Sequence, residues 1–169
     1  ADAVLEVADI LGELEAHEEA AQLLIDAASR NPDDAEVWYE AGIALEQIER
    51  WDLRLECFKH VWSLERQREP EFRLWLPEQR FIEVAEAAIE RLPEHILEHL
   101  GNVAIMVEDY PGAWIFETEV SDPRLMGLFD GPESAYERGL DYVAEGPARI
   151  YLFRWNIERQ CGSEAEVAE

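Results

Sequence analysis

The apolar positions in the first part of the chain recur at helical spacing and form two similar units. Residues 1–34 and 35–68 align at a period of about 34 residues. The first unit carries Ala8, Ala20, Leu24, Ala27 and a terminal Pro32, and the second carries Trp38, Gly42, Leu45, Phe58 and Val61. Small residues let two helices cross closely, and large ones fill the remaining space. The pattern therefore predicts a pair of helices in each unit.

The boundary between the units is marked by Asn31-Pro32-Asp33-Asp34, a helix stop followed by acidic residues suited to a helix start. The second unit departs from the first at two points. Arg54 stands where the pattern expects a small residue, and no proline closes the unit before Pro70. We therefore expect two repeats, of which the second is degenerate.

These spacings resemble tetratricopeptide repeats, and the resemblance implies a concave groove lined mainly by the first helix of each unit. The expected partner-binding residues are Asp9, Glu13, Tyr39, Ile43 and Glu46, with Asp2, Leu5 and Glu36 beside them. Such a groove would be acidic with an apolar floor, so it would suit a protein or peptide ligand that is basic or amphipathic. The open alternative is that so short a repeat only packs on its own second domain.

Residues 71–92 are expected to form a helical segment that caps the repeats and connects them to the rest of the chain. Two repeats are fewer than the three or so that usually stand alone, so their open end needs a cover. The apolar residues after Pro77 have the spacing of an amphipathic helix.

Short apolar runs and turn signals replace the helical pattern after residue 92. A short helix is expected at 95–100, ending at Gly101. Strands are expected in runs 102–109, 125–129 and 149–153, with a loop at 134–146. Helices followed by strands predict an α+β fold. The expected domains are 1–70 (helical repeats), 71–92 (capping and connecting segment) and 93–169 (α+β domain).

An ordered set of short motifs runs through the second half. They are Leu92-Pro93-Glu94, Asn102-Val103-Ala104, Val107-Glu108-Asp109, Leu128-Phe129-Asp130-Gly131, Arg149-Ile150-Tyr151-Leu152-Phe153 and Asn156-Ile157-Glu158. In order and spacing they resemble the minimal zincin-like metallopeptidases of bacteria, over about residues 78–169. The resemblance implies a zinc peptidase whose last strand precedes a helix bearing H-E-x-x-H, in which two His hold zinc and Glu activates water.

The sequence contains no H-E-x-x-H, so the resemblance gives it no catalytic, cofactor-binding or metal-binding residue, and this chain alone is predicted to be inactive. Ser163-Glu164-Ala165-Glu166 has the signature of a capping box and predicts a helix start. Zinc is expected only if the protein continues beyond Glu169.

Two hypotheses about function follow. In the first, a zincin-type peptidase carries an interaction repeat, and its 149–155 strand pairs with an extended substrate. In the alternative, the chain is a non-catalytic protein-interaction module with a degenerate zincin-like domain.

The segment His95-Ile96-Leu97-Glu98-His99 fits the inverted zincin pattern H-x-x-E-H. On a helix the two histidines would share a face, as two zinc ligands must. The predicted helix is short, however, and no third ligand follows at a defined spacing. We therefore expect partly exposed polar residues on a connecting helix. His17 and His60 are isolated, and structural roles are expected for both.

The formal net charge of −25 narrows the range of partners. A field of this sign repels phosphate backbones and anionic membrane surfaces, so neither nucleic acid nor membrane is expected as a partner. Charge that only solvates the surface is the simpler explanation of the composition. Cys57 and Cys161 form no C-x-x-C pair and no signal peptide is visible, so a cytoplasmic protein without a disulfide framework is expected.

Overall fold

A computed structural model describes residues 2–67, 74–100, 103–131 and 149–168. It contains helices and a three-stranded mixed sheet, so the predicted α+β class is confirmed. The chain splits into two compact units, which we call the helical unit (1–71 with 113–123) and the sheet unit (72–112 with 124–169). The three-part division into 1–70, 71–92 and 93–169 stays a prediction.

Four helices make up most of the described helical unit. They are α1 (Asp2–Glu13), α2 (His17–Arg30), α3 (Ala35–Gln47) and α4 (Trp51–Gln67). Each packs against the next along the chain. The buried core between them consists of Ala8, Ala21, Leu24, Ala28, Val37, Ala41, Leu45 and Cys57. Small residues dominate this core because the helices approach closely.

The α1–α2 and α3–α4 turns have the same geometry. Glu15 and Glu49 adopt left-handed φ angles of 59° and 56°, and they lie 34 residues apart (49 − 15 = 34). The N–H after each of them donates to a carbonyl in the preceding helix, Leu11 in the first turn (2.8 Å) and Leu45 in the second (2.9 Å). These left-handed residues close α1 and α3 in the same way. The chain therefore repeats in backbone conformation at the spacing of its sequence repeat.

The turn between α2 and α3 joins the two helix pairs. The Asp34 carboxylate caps α3 by accepting from the backbone N–H groups two and three residues on (3.2 and 3.3 Å). The Pro32 carbonyl accepts the Trp38 indole N–H at 3.0 Å. The ring of His60 packs against that of Trp38 (4.6 Å between centroids), and its Nε2 lies 3.0 Å from the same carbonyl. His60 thus helps to hold this turn in place, which is consistent with the structural role predicted for it.

Residues 113–123 belong to the helical unit, although they lie between two strands of the sheet unit along the chain. They begin as a 3-10 helix (Ala113–Glu117). Thr118 and Ser121 then close a tight turn, in which the Ser121 hydroxyl donates to the Thr118 carbonyl at 2.6 Å. The predicted segment 71–92 contributes its helix to the sheet unit, and its capping role stays a prediction.

The sheet unit contains the remaining described elements. They are α5 (Glu78–Ile89), α6 (Glu94–Leu100), β1 (Ala104–Glu108), β2 (Gly127–Asp130), β3 (Arg149–Phe153), α7 (Arg154–Glu158) and α8 (Glu164–Val167). The three predicted strands are confirmed with shorter or shifted bounds. The predicted loop at 134–146 and Gly101 lie outside the described residues.

The strand order in the sheet is β1-β3-β2. β1 pairs with β3 in parallel, from Ala104↔Arg149 to Glu108↔Phe153. β2 pairs with the other edge of β3 in antiparallel register. The prediction that the 149–155 strand pairs with a substrate is therefore wrong, because both edges of β3 already carry strands and the chain turns into α7 after residue 153.

The predicted helix start at Ser163 is confirmed by α8. The Glu166 N–H donates a hydrogen bond to the Ser163 hydroxyl oxygen (3.4 Å). The Ser163 hydroxyl and the Gly162 N–H in turn donate to the Glu166 carboxylate (3.0 and 2.8 Å). This arrangement is a variant of the capping box, in which the Glu166 carboxylate accepts the N–H of the residue before the N-cap. The Gly162 N–H and the Ser163 hydroxyl lower the pKa of Glu166, because they stabilise its charged form.

Candidate functional site

A cavity of about 580 Å³ lies between α1, α2 and α3 of the helical unit. Its buried apolar side is formed by Ala8, Ala20 and Leu24. The more exposed residues at the cavity are Leu5, Asp9, Gly12, Glu13, His17, Glu40, Ile43, Ala44 and Gln47. The cavity therefore combines an apolar interior with three carboxylates, and it includes no lysine or arginine among these lining residues.

Helical spacing explains which residues meet in the cavity. Leu5, Asp9 and Glu13 recur every fourth residue on α1, so they share one face. On α3 the same holds for Glu40 and Ile43, which are three residues apart. Four of these five residues are among those that the sequence predicts for the groove. Glu40 was missed, and its position three residues before Ile43 is the signal that identifies it.

His17 and Gln47 were also missed as cavity residues. His17 is the first residue of α2, and Gln47 is the last residue of α3. Both therefore stand at a helix end beside the cavity. The structural role expected for His17 stays a prediction, and the structure places this residue in the cavity lining.

The predicted partner-binding residues Tyr39 and Glu46 do not line this cavity. The Tyr39 hydroxyl donates to the Asp122 carboxylate at 3.2 Å. The Glu46 carboxylate pairs with Arg54, 2.8 Å from its Nε. Thus Asp9, Glu13 and Ile43 come together at the cavity, whereas Tyr39 and Glu46 belong to a second surface of the helical unit. Among the other residues expected at the groove, Glu36 is exposed and the Asp2 side chain lies outside the described part.

A buried charged cluster is the main polar feature of the sheet unit. Glu158 is completely buried, and its Oε2 accepts the backbone N–H groups of Trp75 (2.8 Å) and Leu76 (3.2 Å). Arg154 donates to the Leu76 carbonyl at 2.6 Å and to the Asp109 carboxylate at 2.9 Å. Its Nε lies 3.5 Å from Glu158 Oε1. The cluster ties residues 75–76 and 109 to α7 and so fixes the fold of this unit.

Metal ligands do not assemble among the described residues. Within those ranges, no three His, Cys, Asp or Glu side chains are placed to hold one metal ion. His95 is exposed on α6, and the side chains of Glu98 and His99 lie outside the described part. The described residues therefore do not fit a zinc ion, and no catalytic step through zinc follows from them. No helix in those ranges is long and apolar enough to span a bilayer.

The two cysteines are expected to differ in reactivity, because the thiolate is the nucleophile. Cys57 is 4% exposed, and its burial raises its pKa to about 11, with the Glu56 charge adding to the effect. Cys161 is partly exposed; burial and the charges of Glu166 and Glu158 raise its pKa as well. A raised pKa lowers the thiolate fraction at a given pH. We expect iodoacetamide at about pH 8 to modify Cys161 and to leave Cys57 intact in the native protein.

Mass spectrometry of proteolytic fragments would measure this difference, with the guanidinium-unfolded protein as the control in which both thiols react. Modification of native Cys57 as fast as Cys161 would contradict the burial of the helical core.

The C-terminal part of the chain matches a known protein family. No curated protein matches the sequence. The model of one family, described as zincin-like metallopeptidase, matches residues 100–169. This region contains the whole sheet and the buried Arg154–Glu158 pair. Residues 100–169 are therefore similar to the zincin-like metallopeptidases.

Proposed function

We propose that the helical unit is a tetratricopeptide-like repeat that recruits a cationic peptide segment for a zincin-like metallopeptidase domain. The observation that carries the proposal is the cavity between α1, α2 and α3, where Asp9, Glu13 and Glu40 stand beside a buried apolar side. In this proposal the helical unit binds the peptide. The proposed reaction, peptide hydrolysis, rests on the similarity of residues 100–169 to the zincin-like metallopeptidases.

The repeated turns support the tetratricopeptide-like reading of the helical unit. Glu15 and Glu49 share a left-handed conformation at a separation of 34 residues (49 − 15 = 34), the period of that family. Ala20 and Arg54 occupy the same place after those turns, since each donates its N–H to the residue four before it at 3.0 Å. The cavity then corresponds to the groove that first helices line in such repeats, because α1 and α3 are the first helices of the two pairs.

Charge and size determine which ligand the cavity suits. Carboxylates attract an ammonium or guanidinium group, and the net charge of −25 draws cations toward the protein from a distance. Lysine and arginine also carry long apolar stems, which would lie against Leu24 and Ile43. A volume of about 580 Å³ accommodates a few side chains and not a folded domain. The ligand we propose is therefore a short basic peptide or an unfolded basic segment.

Binding can be tested by fluorescence anisotropy with a labelled peptide of alternating lysine and leucine. We expect the double variant Asp9→Asn, Glu13→Gln to weaken binding about tenfold, because each lost charge removes a charge-assisted hydrogen bond at the cavity. Binding by the unmodified protein should also weaken as salt rises from about 50 to about 300 mM.

The matched control is Glu6→Gln with Asp26→Asn, which removes the same charge from exposed positions of α1 and α2 outside the cavity lining. Its affinity should stay within about twofold of the unmodified protein. Equal losses in the two double variants would show attraction to the overall charge only and would contradict the proposed site.

A further inference from the structure

A buried arginine of the second repeat has its charge balanced inside the helical unit. The Arg54 side chain is 9% exposed, and its Nε lies 2.8 Å from the Glu46 carboxylate. The central carbon of its guanidinium lies 4.5 Å from the centre of the Phe58 ring and 6.0 Å from that of Trp51. The same group donates to the Val120 carbonyl at 2.7 Å. The guanidinium is therefore held by a carboxylate, two aromatic rings and a main-chain oxygen.

Two further residues support the Phe58 ring beneath this guanidinium. The Tyr39 ring stacks on it at 5.4 Å between centroids, and Gly42 leaves room for it, since a Cβ there would collide with the ring. We call the whole group the Arg54 cluster. Its members are Tyr39, Gly42, Glu46, Trp51, Arg54 and Phe58.

Each member of the Arg54 cluster has a counterpart 34 residues earlier, and every counterpart lines the acidic cavity. The counterparts are Leu5, Ala8, Gly12, His17, Ala20 and Leu24. The two helix pairs turn in the same way, so these positions lie at equivalent places in the two repeats. The cavity of the first repeat is therefore the place that corresponds to the Arg54 cluster of the second.

The two places differ in what fills them. Glu46 and Arg54 correspond to Gly12 and Ala20 (46 − 12 = 34 and 54 − 20 = 34). The first repeat thus has the two smallest residue types where the second has an ion pair. The cavity is accordingly the space that an arginine side chain fills in the second repeat.

Gly12 keeps part of this space open without a reason in the packing of α1. A Cβ at this position would meet nothing within 4 Å, whereas a Cβ at Gly42 would collide with a buried ring. Glycine is also a poorer helix former than alanine. Gly12 therefore leaves room beside the cavity that the fold of the helical unit does not require.

The first repeat retains the groups that hold a guanidinium, at equivalent or neighbouring positions. Asp9 and Glu13 are carboxylates on α1, and α3 adds Glu40. Leu24, which is 2% exposed, forms the apolar wall where the second repeat has Phe58. The lining thus offers carboxylates and an apolar surface, and it includes no lysine or arginine among these residues.

We propose that the cavity binds an arginine side chain of the recruited peptide, with its guanidinium in the place that Arg54 takes in the second repeat. The inference rests on the proposed function and names the residue that the peptide must carry. Arginine suits this place better than lysine, because its planar guanidinium is more weakly hydrated than an ammonium and binds carboxylates through two N–H groups at once.

Selectivity between two labelled peptides tests the inference on the unmodified chain. One peptide alternates arginine and leucine, and the other alternates lysine and leucine at the same length and charge. We expect the arginine peptide to bind about tenfold more tightly in fluorescence anisotropy at about 150 mM salt. Equal affinities would overturn this inference and leave the proposed function standing, whereas binding of neither peptide would overturn both.

A variant that copies the second repeat into the first tests the location. Gly12→Glu with Ala20→Arg adds one charge of each sign, so the net charge stays at −25. We expect it to weaken binding of the arginine peptide about tenfold or more, because the new pair fills the cavity from within. The matched control, Ala3→Glu with Ser29→Arg, adds the same charges at exposed positions outside the cavity lining and should bind within about twofold of the unmodified chain.

Unchanged affinity of the copied variant would refute the inference, provided that Cys57 stays protected from alkylation and the helical core is intact. If that protection is lost, Gly12→Met decides. It adds bulk at the cavity without a change in charge, and its Cβ meets nothing within 4 Å. It should weaken binding of the arginine peptide about fivefold and leave the midpoint of thermal unfolding unchanged or higher. Undiminished binding by this variant would show that the arginine lies elsewhere.

Discussion

Replacement of Glu158 with glutamine should destabilise the sheet unit by about 3 kcal/mol, because it removes one charge from a buried ion pair. Glu158 is completely buried, and the Arg154 side chain is 6% exposed. A glutamine oxygen can still accept the N–H groups of residues 75 and 76. Its NH₂ group, however, would face Arg154 Nε, where the carboxylate oxygen now lies at 3.5 Å. Asp109 would remain as a partner of Arg154, but its side chain is 70% exposed.

Urea unfolding followed by circular dichroism would measure the loss as a lower midpoint. The matched control is Glu164→Gln, which makes the same chemical change in the exposed ion pair with Arg80. Arg80 lowers the pKa of Glu164 by hydrogen bonding to its carboxylate, but both groups are in water. That variant should unfold at the midpoint of the unmodified protein. Equal midpoints for the Glu158 and Glu164 variants would show that the buried pair is not stabilising.

Replacement of Gly42 with alanine should destabilise the helical unit by about 2 kcal/mol, although alanine is the better helix former. A Cβ at this position would lie 2.3 Å from Cε1 and 2.6 Å from Cδ1 of Phe58. That ring is fully buried. It is stacked on Tyr39 at 5.4 Å and has Arg54 over its face, so it cannot move aside without breaking those contacts.

The control for this change is Gly12→Ala, the same substitution in α1. A Cβ there would meet nothing within 4 Å, so the variant should be as stable as the unmodified chain or up to about 1 kcal/mol more stable. Thermal unfolding of both variants would separate crowding from helix propensity. A Gly42→Ala protein as stable as the Gly12→Ala protein would mean that the Phe58 ring has room to shift.

The sequence predicts those parts of the fold that depend on neighbours along the chain. The helix stop before α3, the helix start at Ser163 and the apolar runs of the strands are local signals, and each is found in the structure, the strands with shorter or shifted bounds. Three residues of the predicted groove, Asp9, Glu13 and Ile43, also follow from helical spacing, because α1 and α3 each present one face to the cavity.

What the sequence does not predict depends on partners distant along the chain. The apolar run of β3 suits a strand but does not say that strands lie on both of its edges. In the sequence nothing distinguishes Glu158 from the other carboxylates of this acidic chain. Its burial depends on the hydrogen bonds it accepts from the N–H groups of residues 75 and 76. In the sequence Arg54 is only a departure from the repeat pattern. The structure shows that its guanidinium donates to the carbonyl of Val120, 66 residues later in the chain.

The strand order β1-β3-β2 has a consequence for synthesis of the chain on the ribosome. The helices of the helical unit contact their immediate successors, so they can form as they emerge, and such local contacts assemble quickly. β1 and β2 cannot complete the sheet when they emerge, because in the finished sheet each pairs with β3 and not with the other. Both strands therefore stay unpaired until residues 149–153 have been synthesised. Until then the nascent sheet unit exposes unpaired strand edges.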